Sequence, residues 1–408
     1  MKSNKISTCR ICGSKNIQNV FSLGNISHAG IFPKQKKINV PKDYINVVYC
    51  KGCSLVQLDR NFNLNYMFGK NYGYRSGINK TMTLHLKNLA EKVTKKFKLK
   101  ENDCVLDIAS NDGTFLNSYN NKLIRVGVDP LIKKFINNYK NINYKVSNFF
   151  DEKSIKKLKI KKFKLITALA VLYDLPKPNK FIKNIKKILD KDGIFIVEVA
   201  DLRLTLKNNV FDTFCHEHLE YYSFKSLSNL MKRNNLKIFD HEYLSVNGGS
   251  SRYFITHKKS EIKIKNTIKK IIQIENKEKV FKLSSLKKFF NSIKFLKNKF
   301  NFLINNLKKK NFIIHGYGAS TKGNVLIQFY NINNKQLNFI AEKNKEKFNC
   351  FTPGSKIKIV SEKISRRLIP DYYVVFPWHF KKEILIREKN IRKKGTKFIF
   401  PLPKIEII

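Results

Sequence analysis

Apolar and polar positions alternate along this chain in a pattern typical of an α/β protein. Short apolar runs that end at turn residues predict buried strands, and apolar residues spaced three to four apart predict helices. Helical segments, such as residues 78–98 and 178–189, lie beside or between the runs. The strands predicted in the middle of the chain are residues 104–109, 125–130, 164–170, 193–200 and 251–257. Alternating strands and helices predict a parallel sheet with helices on both faces.

Two further stretches flank this region. The first 67 residues combine short β-like runs with many turn residues, which predicts a small domain with a thin core. Residues 262–310 are rich in lysine and have helical spacing, so we expect one long helix or a pair of helices. The alternation then restarts and predicts a second α/β domain. We therefore expect domains at residues 1–67, 68–260 and 261–408.

Composition narrows the classes of protein that remain. The 408 residues contain no apolar run of about 18, so we expect no membrane-spanning helix, and the basic N-terminus lacks the apolar core of a secretory signal. A cytoplasmic protein, most simply a monomer, is therefore expected. The net charge of +51 is typical of a partner for nucleic acid or an anionic membrane. Because lysine far exceeds arginine and is spread throughout, we favour compositional drift over either partner.

Four of the seven cysteines form two C-x-x-C pairs, Cys9 with Cys12 and Cys50 with Cys53. Each pair can present two thiolates to one ion, and two pairs complete a tetrahedral sulfur set that suits Zn²⁺. The alternatives are a redox pair or four unrelated cysteines, which the doubling of the motif disfavours. With four protein ligands, such a zinc site has a structural role.

The first predicted strand of the middle region runs into a loop, "VLDIASNDGTFL" at residues 105–116, and then into a predicted helix. This loop resembles motif I of class I S-adenosylmethionine methyltransferases, which passes under the cofactor. The resemblance implies that Asp107 or Asp112 accepts from the methionine ammonium of the cofactor. Ala109 stands where that family usually has glycine. The candidate cofactor-binding residues here are Asp107, Ala109, Ser110, Asn111, Asp112 and Gly113.

The second predicted strand ends at Asp129, a position where doubly wound folds use an acid to bind ribose hydroxyls. The spacing from Asp107 fits an adjacent strand of such a fold. We expect Asn148 and Phe149 near the adenine of the cofactor, and Ala168 in the floor near its methyl group. The alternative for Asp129 is a common strand-ending residue before a proline turn.

The stretch Phe211–Ser223, "FDTFCHEHLEYYS", places metal-capable and acid/base groups side by side. Cys215, His216 and His218 could bind a metal, but the spacings of zinc deaminases and zincins are absent. We favour proton chemistry, in which a histidine takes a proton near neutral pH and Glu217 orients it or raises its basicity.

These motifs together resemble a family of sugar C-methyltransferases, three-part enzymes with a Cys₄ zinc domain, a central S-adenosylmethionine domain and a C-terminal Rossmann-like domain. The resemblance covers nearly the whole chain in order. Beyond the four cysteines and "GVDP", it rests on "YGYRSG" (72–77), "LDIASNDG" (106–113), "CHEHLEYYS" (215–223), "VNGGSSR" (246–252), "GYGASTKGN" (316–324) and "TPG" (352–354).

The resemblance implies methylation of a carbon next to the ketone of a nucleotide-linked deoxysugar, through an enediolate. It assigns the base to His218, partnered by Glu217 or with Glu217 on a sugar hydroxyl, and a hydrogen-bonding phenol to Tyr72 or Tyr74. Neighbouring His216 is a further catalytic candidate. The substrate-binding candidates are Tyr222, Asn247, Gly316 and Lys322. For the glycine-rich turn that holds Lys322, phosphate binding and a purely structural turn are both open.

Two positions depart from the resemblance, because family members often have tyrosine at Cys215 and several have histidine at Asp174. The departures imply a different sugar, a different ring position or another carbonyl compound. A nucleic-acid methyltransferase is the main alternative, but the N/D-P-P-[YF] motif of amino-methylating enzymes is absent. A non-catalytic protein that retains the fold is the third alternative.

Overall fold

The computed structural model describes residues 3–69, 72–156, 158 and 160–408. The N-terminal region is an antiparallel sheet in which β3 lies between β2 and β4, with a small β1–β5 ribbon beside it. Its elements are strands β1 Asn4–Lys5, β2 Ile17–Ser27, β3 Lys42–Cys50, β4 Val56–Leu58 and β5 Arg60–Asn61, and helix α1 Leu64–Phe68.

The middle region follows α1 in the chain. In chain order it contains the 3₁₀ helix Ser76–Ile78, α2 Lys80–Lys96, β6 Cys104–Ile108, the 3₁₀ helix Leu116–Ser118, β7 Ile124–Val128, the 3₁₀ helix Ile136–Asn138, β8 Tyr144–Val146, α3 Glu152–Lys156, β9 Phe163–Leu169, the 3₁₀ helix Leu172–Asp174, α4 Pro178–Ile188, β10 Leu189–Ala200, α5 Leu202–Lys207, the 3₁₀ helix Phe211–Thr213, β11 Glu220–Tyr221, α6 Phe224–Arg233, β12 Leu236–Leu244, the 3₁₀ helix Val246–Gly248, β13 Ser250–His257 and α7 Asn266–Lys277.

Seven of these strands form the central sheet, in the order β12-β13-β10-β9-β6-β7-β8. The strands from β8 to β10 are parallel, and β13 runs antiparallel to both of its neighbours. The predicted α/β fold with a parallel sheet is therefore confirmed, with one reversed strand. The order changes direction at β6, so the carboxyl end of β6 is the point at which doubly wound sheets bind ligands.

Helix α2 shows why the predicted helices pack on this sheet. Asn79 caps its first turn by accepting from the Met82 amide. Its buried residues recur every three to four positions and pack against β6 and β10. Burial of one such leucine contributes about 2 kcal/mol. The helix predicted after β6 is instead a single 3₁₀ turn, because that segment is rich in Asn and Ser, which favour turns.

The C-terminal region is a second, six-stranded sheet in the order β16-β15-β14-β17-β18-β19, in which β19 is antiparallel and the rest are parallel. Its elements are α8 Leu283–Lys309, β14 Ile314–Tyr317, α9 Thr321–Phe329, β15 Ile340–Glu342, the 3₁₀ helix Lys345–Lys347, β16 Ile359–Ser361, α10 Glu362–Arg367, β17 Tyr372–Val375, the 3₁₀ helix Trp378–Phe380, α11 Lys381–Arg387, α12 Lys389–Lys393, β18 Lys397–Phe400 and β19 Glu406–Ile407.

The three regions are joined by a shared sheet and by a shared hydrophobic core. Strand β11 comes from the middle region but pairs with β4, so it completes the N-terminal sheet as its fourth strand. A single apolar cluster contains Phe21 of β2, Phe289 of α8 and Ile340 of β15. Within the described part of the chain, no helix combines the length and apolarity that crossing a bilayer requires.

Candidate functional site

The four paired cysteines form one compact cluster in the N-terminal region. Their sulfur atoms all lie within 4.8 Å of one another, and this is the one group of metal-capable side chains found in the described residues. Each C-x-x-C segment is followed by a residue with a left-handed backbone, Gly13 or Ser54, whose turn folds the pair into a knuckle. The arrangement matches the predicted zinc ligands Cys9, Cys12, Cys50 and Cys53.

The loop after β6 is built from alternating left-handed residues. Ala109, Asn111 and Gly113 have φ values of 60°, 51° and 77°, which turn the chain sharply away from the sheet. The Asn111 amide donates to Asp129 Oδ2 (2.9 Å). Below the loop, the Tyr139 hydroxyl donates to the Asn111 carbonyl (2.8 Å) and pairs with the Ser110 hydroxyl. Ala109, the departure from glycine, thus adopts the backbone conformation that glycine adopts without strain.

Two buried carboxyl groups lie below this loop. Asp107 accepts from the Thr167 hydroxyl (2.6 Å), and burial raises its pKa to about 7. Asp129 also accepts from the Leu131 amide (2.7 Å), and burial raises its pKa to about 6. Acceptors at the ends of adjacent parallel strands suit the ammonium and ribose hydroxyls of S-adenosylmethionine. The chemistry of these residues therefore fits the predicted cofactor.

Asn111 and Asp112 hold the segment 72–77 across the loop. The Ser76 amide donates to Asn111 Oδ1 (3.0 Å), and the Gly77 amide donates to Asp112 Oδ2 (3.0 Å). Asp112 also accepts from the Thr114 hydroxyl through Oδ1 (2.6 Å), so both of its oxygens are hydrogen-bonded within the protein. Asp107 accepts from Thr167 through Oδ1 alone and is therefore the better candidate for the cofactor's ammonium. The ring of Tyr74 is 47% exposed.

Tyr72 differs from Tyr74 in its surroundings. It is partly buried, and burial followed by the nearby Asp174 carboxyl raises its pKa well above the usual value for tyrosine. Glu217 and Asp129 also act on this phenol. Tyr72 therefore lies between the cofactor loop and the Phe211–Ser223 stretch.

The remaining predicted cofactor residues lie along the same edge of the sheet. Asn148 and Phe149 follow β8, where the Asn148 side chain accepts from the Phe149 amide (2.8 Å). Ala168 is fully buried in β9 opposite Ile108 of β6. Its methyl group belongs to the core of the sheet, and its place in the floor near the cofactor stays a prediction.

His218 has a fixed orientation. Its Nδ1 lies 2.8 Å from the Thr213 carbonyl oxygen, and because a carbonyl can only accept, Nδ1 carries the proton. Nε2 is therefore the unprotonated nitrogen of the neutral ring. Tyr173 packs edge-on against the ring, with centroids 4.6 Å apart. Burial, followed by the positive charge of Lys322, lowers the His218 pKa to about 4. We expected Glu217 to orient His218, but the Thr213 carbonyl makes this contact.

Helix α9 directs its N-terminus, with Lys322, at this stretch. Ser320 caps the helix by accepting from the Gly323 amide, and Lys322 Nζ lies 3.9 Å from Asp212 Oδ1. Lys322 also lowers the pKa of His379, after burial, to about 3. Lys322, His218 and His379 thus converge from two regions of the chain.

Glu217 lies at the junction of the three regions. A Cβ atom added to Gly30 would come within 2.4 Å of Glu217 Oε1 and 3.6 Å of Thr321 Oγ1, so only glycine leaves room for the carboxyl group there. Burial raises the pKa of Glu217, and its Oε2 has no partner among the described residues.

His216 faces away from His218. It is 1% exposed and packs against His28 (ring centroids 4.4 Å apart) and Phe62 of the N-terminal region. Its Nε2 lies 3.3 Å from the Asp43 carbonyl oxygen. The predicted catalytic role of His216 does not fit this position, because the ring is enclosed in an interface between regions.

Two predicted substrate residues are also packed away from the cleft. Tyr222 is fully buried and donates to Glu220 Oε2, whereas Gly316 lies within β14, where a Cβ would collide with Phe376. Both predictions are corrected, because neither residue presents a surface to a ligand. Asn247 lies in the 3₁₀ helix Val246–Gly248, and its side chain lies outside the described residues.

Several residues near the site carried no local signal in the sequence. His379, Tyr139 and Gly30 reach it from distant segments, whereas Asp212 and Thr213 flank the cluster that the sequence already indicated. Only the last two lie within the stretch Phe211–Ser223 that the sequence indicated, where they were given no role.

Three family profiles match successive parts of the chain. Residues 9–68 match a family described as "Putative zinc binding domain", residues 81–241 one described as "Methyltransferase domain", and residues 245–403 one described as "C-methyltransferase C-terminal domain". The order of the matches follows the order of the three regions.

Known proteins are similar to this chain over its whole length or over part of it. The "C-methyltransferase NovU" of Streptomyces niveus is 25% identical over 419 residues, which covers 99% of this chain and 97% of that protein. Among solved structures, an S-adenosylmethionine-dependent methyltransferase from Clostridium acetobutylicum is 15% identical, with a TM-score of 0.34 over 43% of this chain and 92% of that chain. The PH0226 protein from Pyrococcus horikoshii is 19% identical, with a TM-score of 0.35 over 44% of this chain and 92% of that chain. At these scores the overlaps add nothing to the strand order described above.

The central sheet, the cysteine cluster and the profile matches define an S-adenosylmethionine-dependent C-methyltransferase with a class I core and a structural zinc site. Its three regions, taken together, fit the three-domain family of sugar C-methyltransferases.

Proposed function

We propose that this enzyme methylates a carbon next to the ketone of a nucleotide-linked keto-deoxysugar. The observation that carries the proposal is the bond from His218 Nδ1 to the Thr213 carbonyl, because it leaves Nε2 as a proton acceptor. Carbon methylation at such a position needs a base for the α hydrogen, and His218 is a neutral imidazole whose Nε2 can take it. The NovU relative, a C-methyltransferase, supports the reaction type.

In this proposal His218 Nε2 removes the hydrogen on the carbon α to the ketone, which generates an enediolate. Bound S-adenosylmethionine supplies the electrophilic methyl group, in line with that carbon. Tyr72 faces the sugar as a hydrogen-bonding phenol, and Glu217 binds a sugar hydroxyl through its unpartnered Oε2. Burial of these groups strengthens each interaction, because the local dielectric is low.

The N-terminus of α9 and Lys322 form the proposed site for the substrate's diphosphate. Helix N-termini offer free amides and a partial positive charge to anions. A bound diphosphate would also offset the positive charge of Lys322, which together with burial lowers the His218 pKa to about 4. Substrate binding would thereby raise the pKa of the base toward the working pH, where a general base is most effective.

For the cofactor, we propose Asp107 as the acceptor for the methionine ammonium and Asp129 as the acceptor for the ribose hydroxyls. Each proposed domain binds a different ligand. Residues 1–67 bind zinc, residues 68–260 bind the cofactor, and residues 261–408 bind the nucleotide end of the substrate. We further propose that one chain is sufficient for activity, which sedimentation of the active enzyme would test.

Labelled S-adenosylmethionine tests the function directly. The purified, zinc-containing protein is incubated with a panel of 4-keto-6-deoxy nucleotide sugars, RNA and DNA. We expect label in one of the sugars, and label only in nucleic acid would overturn the proposal. A second measurement follows exchange of the α hydrogen in D₂O, which His218→Ala should abolish, with His257→Ala on the far side of β13 as the matched control.

A further inference from the structure

One carboxyl group near His218 has no explained partner. Asp174 ends the 3₁₀ helix Leu172–Asp174 and is 7% exposed, and its Oδ1 makes no hydrogen bond within the described residues. A buried polar atom without a partner costs about 1–3 kcal/mol, so its retention needs an explanation.

The backbone places Asp174 beside the proposed base. The preceding residue, Tyr173, accepts from the Leu219 amide through its carbonyl (2.8 Å) and packs its ring on His218. Asp174 is therefore one residue from a group that contacts His218 directly. It also acts on the phenol of Tyr72, so the two side chains lie near one another.

The surroundings of Asp174 favour its neutral form. Burial raises its pKa well above the usual value, and the carboxyl groups of Glu217 and Glu220 raise it further. A neutral carboxylic acid carries a hydrogen that must be donated to an acceptor, and Asp174 Oδ1 has no hydrogen-bond partner among the described residues.

We propose that Asp174 is a catalytic residue that donates a hydrogen bond from its protonated carboxyl group to the ketone oxygen of the substrate, and so stabilises the enediolate. This inference rests on the proposed function. The α hydrogen passes as a proton to His218 Nε2, the electron pair it leaves moves toward the ketone oxygen, and Asp174 keeps its own proton throughout. Neutral buried carboxylic acids stabilise enolates in this way in other enzymes.

Two variants and one control test the role. Asp174→Asn keeps a donor of nearly the same size, whereas Asp174→Ala removes it, and Asp192→Asn changes an exposed aspartate of the same region. The rate of α-hydrogen exchange should fall about 100-fold or more in Asp174→Ala but less than about 10-fold in Asp174→Asn. Cofactor affinity and zinc content should remain unchanged in all three variants. Equal losses in Asp174→Asn and Asp174→Ala, or a loss only in KM, would overturn the donor role.

A second readout needs no substrate. Infrared difference spectra of protein with ¹³C-labelled aspartate carboxyl groups should show, at neutral pH, a protonated acid that disappears in Asp174→Asn and persists in Asp192→Asn. An ionised Asp174 overturns the donor role alone. If the wild-type protein exchanges no keto-sugar hydrogen, the proposed function fails, and the donor role falls with it.

Discussion

The two parallel sheets of this enzyme use the same framework for different ends. In both, the strand order reverses at the first strand of the sheet, β6 or β14, and a sharp turn follows. In both, an acid at the end of the next strand accepts from an amide of that turn. Asp129 accepts from Asn111 (2.9 Å) and Glu342 accepts from Ala319 (2.8 Å).

The difference lies in what fills the turn. Glu342 also accepts from the amides of Lys343 and Asn344, and Lys347 Nζ donates to the Ala319 carbonyl (2.7 Å). The C-terminal turn is therefore closed by its own side chains, and it leads at once into helix α9. The central turn is longer and leads only into a 3₁₀ turn, which leaves its polar edge for a cofactor. In our proposal the central turn binds the cofactor, whereas the C-terminal turn directs the N-terminus of α9 toward the substrate.

The largest expected effect is on cofactor affinity, and it distinguishes Asp129 from Glu342. Asp129→Ala should weaken S-adenosylmethionine binding about 100-fold, since two hydrogen bonds to a charged group contribute roughly 3 kcal/mol. Glu342→Ala is the matched control and should keep the affinity within about twofold. Titration calorimetry of the zinc-containing proteins measures both, and similar losses in the two variants would contradict the comparison.

The next effect concerns the crowded C-terminal turn. Gly318 has φ +84°, and a Cβ there would lie 2.5 Å from Pro377 Cδ. Gly318→Ala should therefore lower the free energy of unfolding by about 2 kcal/mol or more, from left-handed strain plus overlap. Urea unfolding followed by the fluorescence of Trp378, the one tryptophan of the chain, reports on this region.

Gly24→Ala is the control for that substitution. Gly24 has φ +96° but nothing within 4 Å of its Cβ position, so only the strain of about 1–2 kcal/mol should remain. Equal destabilisation by the two changes would show that the turn at Gly318 is not tightly filled.

Helix α9 gives a smaller effect, on proton transfer. Lys322→Met should lower kcat/KM about 10-fold and leave cofactor affinity unchanged. His218 acts as the neutral base, so activity is lost as pH falls through its pKa, which burial and Lys322 lower to about 4. Removing the positive charge should move this acid limb upward, toward 6.5.

A pH–rate profile measures the position of the acid limb. The exposed Lys345, changed to methionine, is the control and should leave the limb in place. A limb that stays near the wild-type position in Lys322→Met would show that Lys322 does not act on His218.

The smallest effect concerns Ala109, which has φ +60°. Ala109→Gly should raise the free energy of unfolding by about 0.5 kcal/mol, because relief of left-handed strain exceeds the added chain entropy. Ala90→Gly in helix α2 should instead lower the free energy of unfolding, by about 1 kcal/mol or more. Thermal unfolding of both variants gives the signs, and a loss of stability in Ala109→Gly would mean that its methyl group packs favourably.

The sequence predicts what is local. The doubled C-x-x-C motif indicates the zinc ligands because each pair forms one turn, and the loop after β6 is readable because its small and turn-forming residues are consecutive. The three-residue strands β8 and β16 escaped prediction, since so short a run has no distinct period.

The residue pattern alone could not separate His216 from His218, and only the family resemblance assigned the base to His218. The two histidines are two residues apart in a segment without regular structure, so no period indicates which way each ring faces. Packing decides it, because His28 and Phe62 enclose one ring and the Thr213 carbonyl orients the other. His379 was similarly beyond prediction, since its neighbours are distant in sequence, whereas Asp174 was noticed only as a departure from the family resemblance.

The pairing of β11 with β4 has a consequence for the synthesis of the chain. Val56–Leu58 emerge from the ribosome more than 160 residues before Glu220–Tyr221, their partners. Until then the edge of the N-terminal sheet is unpaired and open to association with other nascent chains. The fourth strand of this sheet can pair only after the segment that carries His218 has been made. The zinc-binding region and the proposed proton-transfer site are therefore completed at the same stage.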